Sequence, residues 1–596
     1  MPRANRHGTA AGPWLVLALL LTIPYLALNL GEALTPTGSA ITWNARDLGA
    51  GLVQGRVAWP VASTFIAVGL FLALVLLAAF LVEGTKNLRT RKGGPGPSPG
   101  TLRVLSLRRA ARYARKALQV PPKTKDKDLV VSMAATPQGN KPLYMQFEDS
   151  CWTYAPARAG KTLTIVAPGI LSAPGPVLAT STKVDVLTHT AIPRLEAGQV
   201  LAFDLEQITG WPHQVLWNPV RGCQDENEAL ARGKAWARAT SRGNVKNGDW
   251  FADQAAAVLG RLLHAAALEG KDLRDVMRWA SDFTDAEPVE ILRRNGATES
   301  FISRLVDLRS SRAGEAVDGI KMTLQGLFEP LASSRVLSQL VPGDRTAFDA
   351  QDFLAGRNTL YVIADGDASP LAPLVTMFTD FVFRTAKHLS QQRAGGRLWP
   401  VFTMFLDEAP NVAAIRDMPA VLSESGGRGI RVLGFSQSFA QNEARWGTDA
   451  AKAIQETANV IILMPGLKRE ALKDYAAEMG TRHRQRRSHS TGRSGGSTTT
   501  SLEEVQVMKA EEIKHLRVGE ALVVYRNLPP FVGRMHPLWE RKDWKRLEQQ
   551  AREAELMCGK LFAGGELGAG VHGHGHGGFI GRIGERIGEW IARRDT

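Results

Sequence analysis

The stretch Ala155-Pro156-Ala157-Arg158-Ala159-Gly160-Lys161-Thr162 lies between two short apolar segments of the chain. It has the form of a phosphate-binding P-loop whose first glycine is replaced by alanine. In such a loop, backbone N–H groups surround the nucleotide phosphates, the lysine reaches the β- and γ-oxygens, and the hydroxyl binds Mg²⁺. We therefore predict that Pro156 to Leu163 bind nucleotide, with Lys161 on the phosphates and Thr162 on the metal. Gly-Lys-Thr alone is common, so a second motif is needed.

That second motif is an apolar run that ends in two adjacent carboxylates. Residues 401–406 are followed directly by Asp407 and Glu408. In a P-loop ATPase this is the Walker B arrangement, in which Asp407 would hold Mg²⁺ through water and Glu408 would polarise the attacking water. An acidic turn after a strand is common by itself, but its conjunction with a P-loop predicts an ATPase.

Short apolar runs that recur between helical stretches predict an α/β fold. Fully apolar runs of this length suit the buried strands of a parallel sheet. They occur at residues 177–180, 200–203, 360–363, 401–406, 432–435, 460–463 and 521–524. Between residues 225 and 341 this signal disappears and apolar residues follow helical spacing. We therefore predict an ATPase domain over 129–224 and 342–545 with an all-α domain, 225–341, inserted in it.

The N-terminal 85 residues read as a membrane anchor. Two apolar runs, at about 13–31 and 58–83, approach or exceed the roughly 20 residues that a transmembrane helix needs. Basic residues precede the first run and crowd behind the second, which by the positive-inside bias puts both termini in the cytoplasm. The sequence thus predicts a multi-pass protein of the cytoplasmic (inner) membrane.

Charge and composition point to an acidic partner. The formal net charge is +15 and the pI is about 9.8, which favours nucleic acid or anionic lipid. Residues 86–128 form a basic linker beside the predicted membrane helices, where lipid contact is the first expectation and nucleic acid the second. The three scattered cysteines are typical of reduced thiols.

Two further segments carry basic residues or histidine. Residues 481–501 are basic and rich in Ser, Thr and Gly, so we predict a mobile loop that either contacts DNA or is merely solvated. The C-terminal tail, 546–596, holds a Gly/His-rich tract with some capacity for metal and ends in an amphipathic segment. That end either binds a substrate protein or a membrane surface, or packs loosely.

At this point the chain resembles a known family. Its two N-terminal runs, its P-loop, Leu406-Asp407-Glu408-Ala409, Gly434-Phe435-Ser436-Gln437-Ser438 and residues 516–522 occur in the order found in the membrane-anchored coupling proteins of conjugative type IV secretion (TraG/TraD-like), and in particular in members of actinobacterial type. The resemblance implies a RecA-like motor that bears an all-α domain and assembles as a homo-hexamer at the cell membrane. Its cofactors would be ATP and Mg²⁺. Its partners would be single-stranded DNA with bound relaxase and the components of the secretion channel.

Four further positions are candidates for the site. Arg428 could act in trans on a neighbour's γ-phosphate, as arginine fingers do, or be an ordinary turn arginine. Gln437 follows an apolar strand and could sense the γ-phosphate. Lys183 and Asp185 follow another strand and are expected to line the site, because ligands collect at the carboxyl ends of parallel strands.

Two departures from the family pattern bear on function. Ala155 stands where the family usually has glycine, and Ala159 where it commonly has serine. An alanine at the first position need not obstruct phosphate unless its φ is positive. The alternatives are an FtsK-like pump for double-stranded DNA, which usually ends in a winged-helix domain, and a membrane docking platform that recruits substrates without working as a motor.

Overall fold

The computed structural model describes residues 22–23, 26–36, 50, 54–55, 58–73, 97, 100–136, 140–240, 248–311, 314–366, 369–492 and 495–559. The chain divides into two compact units, Met1–Gly94 and Pro95–Thr596. The Gly/His-rich tract and the amphipathic end of the tail lie outside the described residues.

In the first unit, the described helices cover 26–34 and 61–73. The remainder of the predicted spans at 13–31 and 58–83 largely lies outside the described residues. Among the residues that the structure describes, no helix is both long and apolar enough to cross a membrane. This finding contradicts the predicted multi-pass membrane location with both termini in the cytoplasm, which the described residues do not support.

The second unit is built on one large mixed sheet. Among the described residues, eleven strands pair in the order β2-β1-β13-β12-β9-β3-β8-β7-β4-β6-β5, and β10 and β11 form a separate two-stranded sheet. The strands are β1 Val131–Ala135, β2 Pro142–Met145, β3 Cys151–Tyr154, β4 Val177–Ser181, β5 Val200–Phe203, β6 Thr359–Ile363, β7 Phe402–Leu406, β8 Ile430–Ser436, β9 Val460–Leu463, β10 Thr481–Gly492, β11 Gly495–Gln506, β12 Glu520–Tyr525 and β13 Leu528–Arg534.

Seven neighbouring strands, from β9 to β5, run parallel, which brings their carboxyl ends to one edge of the sheet. Every residue of β4, β6, β7 and β8 is buried, since helices cover both faces of the sheet. This explains why these strands read as uninterrupted apolar runs. The strand β8 lies between β3, which leads into the P-loop, and β7, which leads into the carboxylates.

The other four strands extend the sheet with antiparallel pairs, β12 on β9, β13 on β12, β1 on β13 and β2 on β1. The apolar run at 521–524 is therefore a strand, as predicted, but an antiparallel one. It reads like a parallel strand because most of its residues are buried.

Between β5 and β6, most of the described residues from Glu226 onward are helical. These helices share a continuous apolar core with one face of the sheet. They are Glu226–Thr240, Gly248–Leu268, Leu273–Ser281, Glu287–Arg294, Glu299–Ser310, Gly314–Phe328, Ser334–Leu340 and Ala350–Ala355. Local sequence sets their ends: Asp272, for instance, accepts a hydrogen bond from the backbone of Arg274 (2.7 Å) and begins the helix Leu273–Ser281.

The remaining helices flank the sheet outside this insertion. They are Leu107–Ala117, Ala167–Ser172, Asp185–Leu195, Ala372–Gln392, Ala409–Val412, Met418–Ser425, Phe439–Trp446, Thr448–Thr457, Arg469–Glu478, Ala510–Lys514 and Trp544–Met557. The last of these packs on Asp185–Leu195, so the start of the predicted tail belongs to the folded unit.

Residues 481–506 differ from the mobile loop that the sequence predicts. They form a two-stranded antiparallel hairpin, with Thr481 opposite Gln506 and Gly492 opposite Gly495. Ser- and Thr-rich sequence reads as a loop when it has no apolar alternation, but backbone pairing does not need apolar side chains.

Candidate functional site

The P-loop joins the end of β3 to a helix at the carboxyl edge of the parallel strands. The backbone N–H of Ala159 donates to Pro156 O (3.1 Å), and the Thr164 hydroxyl donates to Gly160 O (2.8 Å). Gly160 has a φ of +83°, which glycine adopts without strain. Thr162 begins a π-helical turn that continues into Ala167–Ser172. The helix thus has its N-terminus at the loop, and the free backbone N–H groups of a helix N-terminus commonly bind phosphate.

Ala155 fits this loop without strain. It is fully buried, its backbone N–H donates to Ser436 O (2.9 Å), and its φ is not among the positive values of the chain. Because the position does not need a left-handed backbone, a methyl group there removes no conformational freedom that the loop uses. Arg158, by contrast, has a φ of +65° and an exposed side chain.

The two carboxylates follow β7 at the same edge. Glu408 has a left-handed backbone, with a φ of +51°, and begins the short helix Ala409–Val412. For a residue with a Cβ this conformation costs about 1–2 kcal/mol, and such strain is concentrated at functional sites. Lys161 Nζ lies 3.0 Å from Asp407 Oδ1 and donates a hydrogen bond to Glu408 Oε1 (3.2 Å). The structure therefore brings the predicted phosphate lysine and the Walker B pair together.

Burial controls the electrostatics of this cluster. Asp407 is 4 % exposed, and this desolvation raises its pKa to about 6 although Lys161 opposes the rise. Burial by itself would lower the pKa of Lys161, but Asp407 and Glu408 outweigh it and the pKa is raised. Lys161 is thus held in its charged form by the carboxylates, whereas Asp407 is the group whose ionisation is costly.

This cost predicts a pH dependence of stability. Because the pKa of Asp407 is raised in the folded chain, its contribution to the free energy of unfolding is fully present below the unfolded pKa of about 4 and is lost as the pH rises through the folded pKa of about 6. We expect the melting temperature of Asp407→Asn, relative to wild type, to be higher at pH 7.5 than at pH 5.0, by the equivalent of roughly 1 kcal/mol. Asp449→Asn, at an exposed position, is the control: its melting temperature relative to wild type should be the same at pH 5.0 and at pH 7.5. If the melting temperature of Asp407→Asn relative to wild type were also the same at both pH values, the raised pKa of Asp407 would be contradicted.

The structure also positions the other candidates. Gln437 directly follows β8, between the ends of β3 and β7, and so lies at the site. Asp185 is close enough to Asp407 to raise its pKa slightly. Arg428 is not at this site: it precedes β8 at the opposite edge of the sheet, and its nearest described acidic partner is Glu424 in the preceding helix Met418–Ser425, 4.0 Å away.

Three polar residues at the site were missed in the sequence. The hydroxyl of Thr182 donates to Glu408 Oε2 (3.4 Å), and so does the side-chain amide of Asn411 (3.5 Å). Gln441 donates to Asn411 Oδ1 (2.9 Å). Their only sequence signal is position, because each comes within five residues of the end of a strand that reaches the site.

Comparisons with known proteins agree with this fold. Residues 401–518 match the family model described as the TraM recognition site of TraD and TraG. The resemblance to TraG/TraD-like proteins that the sequence indicated is thereby confirmed. No curated protein sequence matches the chain.

Solved structures of one protein are similar to the chain. The unbound form of the bacterial conjugative coupling protein TrwBdeltaN70 is 13 % identical, with 72 % of this chain and 91 % of that chain covered and a TM-score of 0.51. The plasmid coupling protein TrwB with the non-hydrolysable ATP analogue ADPNP is 13 % identical, with 75 % and 94 % covered and a TM-score of 0.51. Its complex with the GTP analogue GDPNP is 14 % identical, with 71 % and 92 % covered and a TM-score of 0.50. The large mixed sheet with its helices is therefore the RecA-like fold of TrwB.

Proposed function

We infer that this TraG/TraD-like chain is the coupling protein of a conjugative type IV secretion system, and that it hydrolyses ATP to drive single-stranded DNA into the secretion channel. One observation carries the enzymatic part: Lys161, Asp407 and Glu408 meet within 3.2 Å at the edge where a helix begins behind the P-loop. This arrangement matches what phosphoryl transfer to water requires.

The residues present fit ATP and Mg²⁺. The backbone of Pro156, Ala157, Arg158, Ala159 and Gly160, with Lys161, Thr162 and Leu163, would hold the phosphates. The Thr162 hydroxyl and Asp407 would hold the metal. Asp407 Oδ1 is buried and accepts no well-directed hydrogen bond from the described residues, which leaves a lone pair for a metal-bound water. Mg²⁺ would supply charge neutralisation on the β- and γ-phosphate oxygens.

In this mechanism the chain's own residues do separate work. With nucleotide bound, Lys161 would turn from the carboxylates to the phosphate oxygens. Glu408 would then accept a hydrogen bond from the attacking water and orient it. Gln437, which directly follows β8, lies at the same edge of the sheet and would sense whether the γ-phosphate is present.

Arg428 can serve catalysis only if a neighbouring subunit presents it. It is separated from the site of its own chain by the full length of β8, about 20 Å. We propose that the chain assembles as a homo-hexamer in which Arg428 approaches the nucleotide of the next subunit. The motor would comprise 129–224 and 342–545, with 225–341 as its inserted all-α domain.

The transported partner is single-stranded DNA with its bound relaxase. This assignment rests on the TraG/TraD family match rather than on a contact, although the first strand of the hairpin 481–506 is rich in basic residues. Arginine occupies positions 482, 484, 486 and 487 of β10, and contacts from arginine to DNA phosphates would be independent of sequence and sensitive to salt.

The test is the DNA dependence of ATP hydrolysis by the full chain. We expect an oligothymidylate of about 30 nucleotides to stimulate phosphate release more than a duplex of equal length does. This length is enough to contact several subunits of a ring at once. Stronger stimulation by the duplex would favour an FtsK-like pump. Absence of hydrolysis with and without DNA would favour a non-motor docking platform.

A further inference from the structure

A chain of hydrogen bonds leads from Glu408 away from the phosphate side of the site. Glu408 Oε2 accepts from Asn411 Nδ2 (3.5 Å), Asn411 Oδ1 accepts from Gln441 Nε2 (2.9 Å), and Gln441 Oε1 accepts from the backbone N–H of Gln437 (2.8 Å). We call these three bonds the amide relay. It joins the carboxylate that follows β7 to the residue that follows β8.

The two ends of the amide relay fix its direction. A backbone N–H only donates, and an ionised carboxylate only accepts. Gln441 must therefore turn its oxygen to Gln437 and its nitrogen to Asn411, and Asn411 must turn its nitrogen to Glu408. Neither amide can flip without breaking two bonds.

The helix Phe439–Trp446, which carries Gln441, is anchored independently of the relay. Its N-cap, Ser438, accepts from the backbone N–H of Gln441 (3.2 Å). Asn442 is fully buried, accepts from the Ser436 hydroxyl (2.5 Å) and donates to Tyr154 Oη (3.2 Å). The ring of Phe439 stacks on Tyr154, with centroids 3.8 Å apart. The helix is thus fixed to the ends of β3 and β8, and this holds Gln441 in place for the amide relay.

We propose that Asn411 and Gln441 are positioning residues that hold the Glu408 carboxylate for its work on the attacking water and couple its orientation to Gln437. Lys161 binds the other oxygen, Oε1. When phosphate engages Lys161, the bonds from Asn411 and Thr182 to Oε2 are the ones that still orient Glu408. Both are long, at 3.5 and 3.4 Å, as is common for catalytic hydrogen bonds before the substrate complex tightens them.

The proposal rests on the proposed ATP hydrolysis, and isosteric variants test it. Gln441→Glu keeps the oxygen that accepts from Gln437 but loses the donor to Asn411, and Asn411→Asp replaces the donor to Glu408 by an acceptor. We expect each to lower kcat for ATP about 10- to 100-fold, the usual effect of a small misplacement of a catalytic group. The dissociation constant for ATP should change by less than about twofold. The melting temperature should change by less than about 2 °C.

Two comparisons separate positioning from a structural role. Gln391→Glu makes the same chemical change on an exposed helical position and should leave kcat unchanged. In a Glu408→Gln background, Asn411→Asp should lower single-turnover hydrolysis no further, because it acts through Glu408. Additive losses in the double variant, or unchanged kcat in both single variants, would overturn the proposal.

A crystal structure of Asn411→Ala supplies a readout that does not need hydrolysis. We expect Glu408 to leave the rotamer that it has in wild type or to occupy more than one. If wild type hydrolyses no ATP, the proposed function fails while this measurement still decides the relay. An unchanged Glu408 side chain would refute it.

Discussion

Glu408→Gln is expected to reduce ATP hydrolysis about 1,000-fold, within the range that positioned general bases contribute, and to leave ATP binding intact. The amide keeps the size of the side chain and can still accept from Thr182 and Asn411, but it cannot take a proton from water. Phosphate release under saturating ATP, together with calorimetric titration of a non-hydrolysable analogue, measures both effects. DNA transfer in a mating assay should be lost with the hydrolysis.

The helix Thr448–Thr457 offers a matched control for this variant. Glu456 pairs with Lys452 at 3.7 Å, and both side chains are about two-thirds exposed or more. Glu456→Gln makes the same substitution where no reaction takes place and should hydrolyse ATP like wild type. Normal DNA transfer by Glu408→Gln would show that the motor assignment is wrong.

Lys161→Ala is expected to abolish hydrolysis and to weaken ATP binding about 100-fold. A charge-assisted hydrogen bond is worth about 1.5–3 kcal/mol, and each 1.4 kcal/mol is a factor of ten in affinity. The variant also leaves Asp407 and Glu408 facing the phosphates without the cation that neutralises them in wild type. Both effects act in the same direction.

Lys452→Ala is the corresponding control, since it removes an exposed lysine from a carboxylate elsewhere. It should bind ATP with wild-type affinity in the same titration. An affinity of Lys161→Ala within threefold of wild type would mean that the P-loop does not hold phosphate, and ATP binding would then have to be sought elsewhere in the chain.

Much of the parallel sheet was predictable because both faces of its strands are buried. The apolar runs at 177–180, 200–203, 360–363, 401–406, 432–435 and 460–463 correspond to β4 to β9. Such runs carry no information on strand direction, which is why the antiparallel pairing of β12 was missed. The hairpin β10–β11 has almost no apolar residues, so hydrophobic patterning could not detect it.

At the site, too, some residues were predictable from the sequence and others were not. Lys161, Thr162, Asp407 and Glu408 belong to motifs whose spacing reflects their chemistry, and the structure brings them to one edge of the sheet. Asn411 and Gln441 are joined by a hydrogen bond between side chains that are 30 residues apart in the sequence. A single sequence does not reveal such a contact. Arg428 lies far from its own P-loop because it precedes β8, which runs parallel to β3 and β7, so that Arg428 is at the edge of the sheet opposite their carboxyl ends.

The contact between Lys161 and the two carboxylates makes nucleotide binding an exchange of partners. A phosphate that draws Lys161 away leaves Asp407, almost fully buried, beside Glu408 with no positive charge to compensate it, and an unpaired buried carboxylate is costly. A divalent cation bound at Asp407 removes that cost. By thermodynamic reciprocity, the factor by which metal tightens nucleotide binding equals the factor by which nucleotide tightens metal binding. One lysine thus makes two ligands cooperative, and either ligand alone should bind this chain poorly.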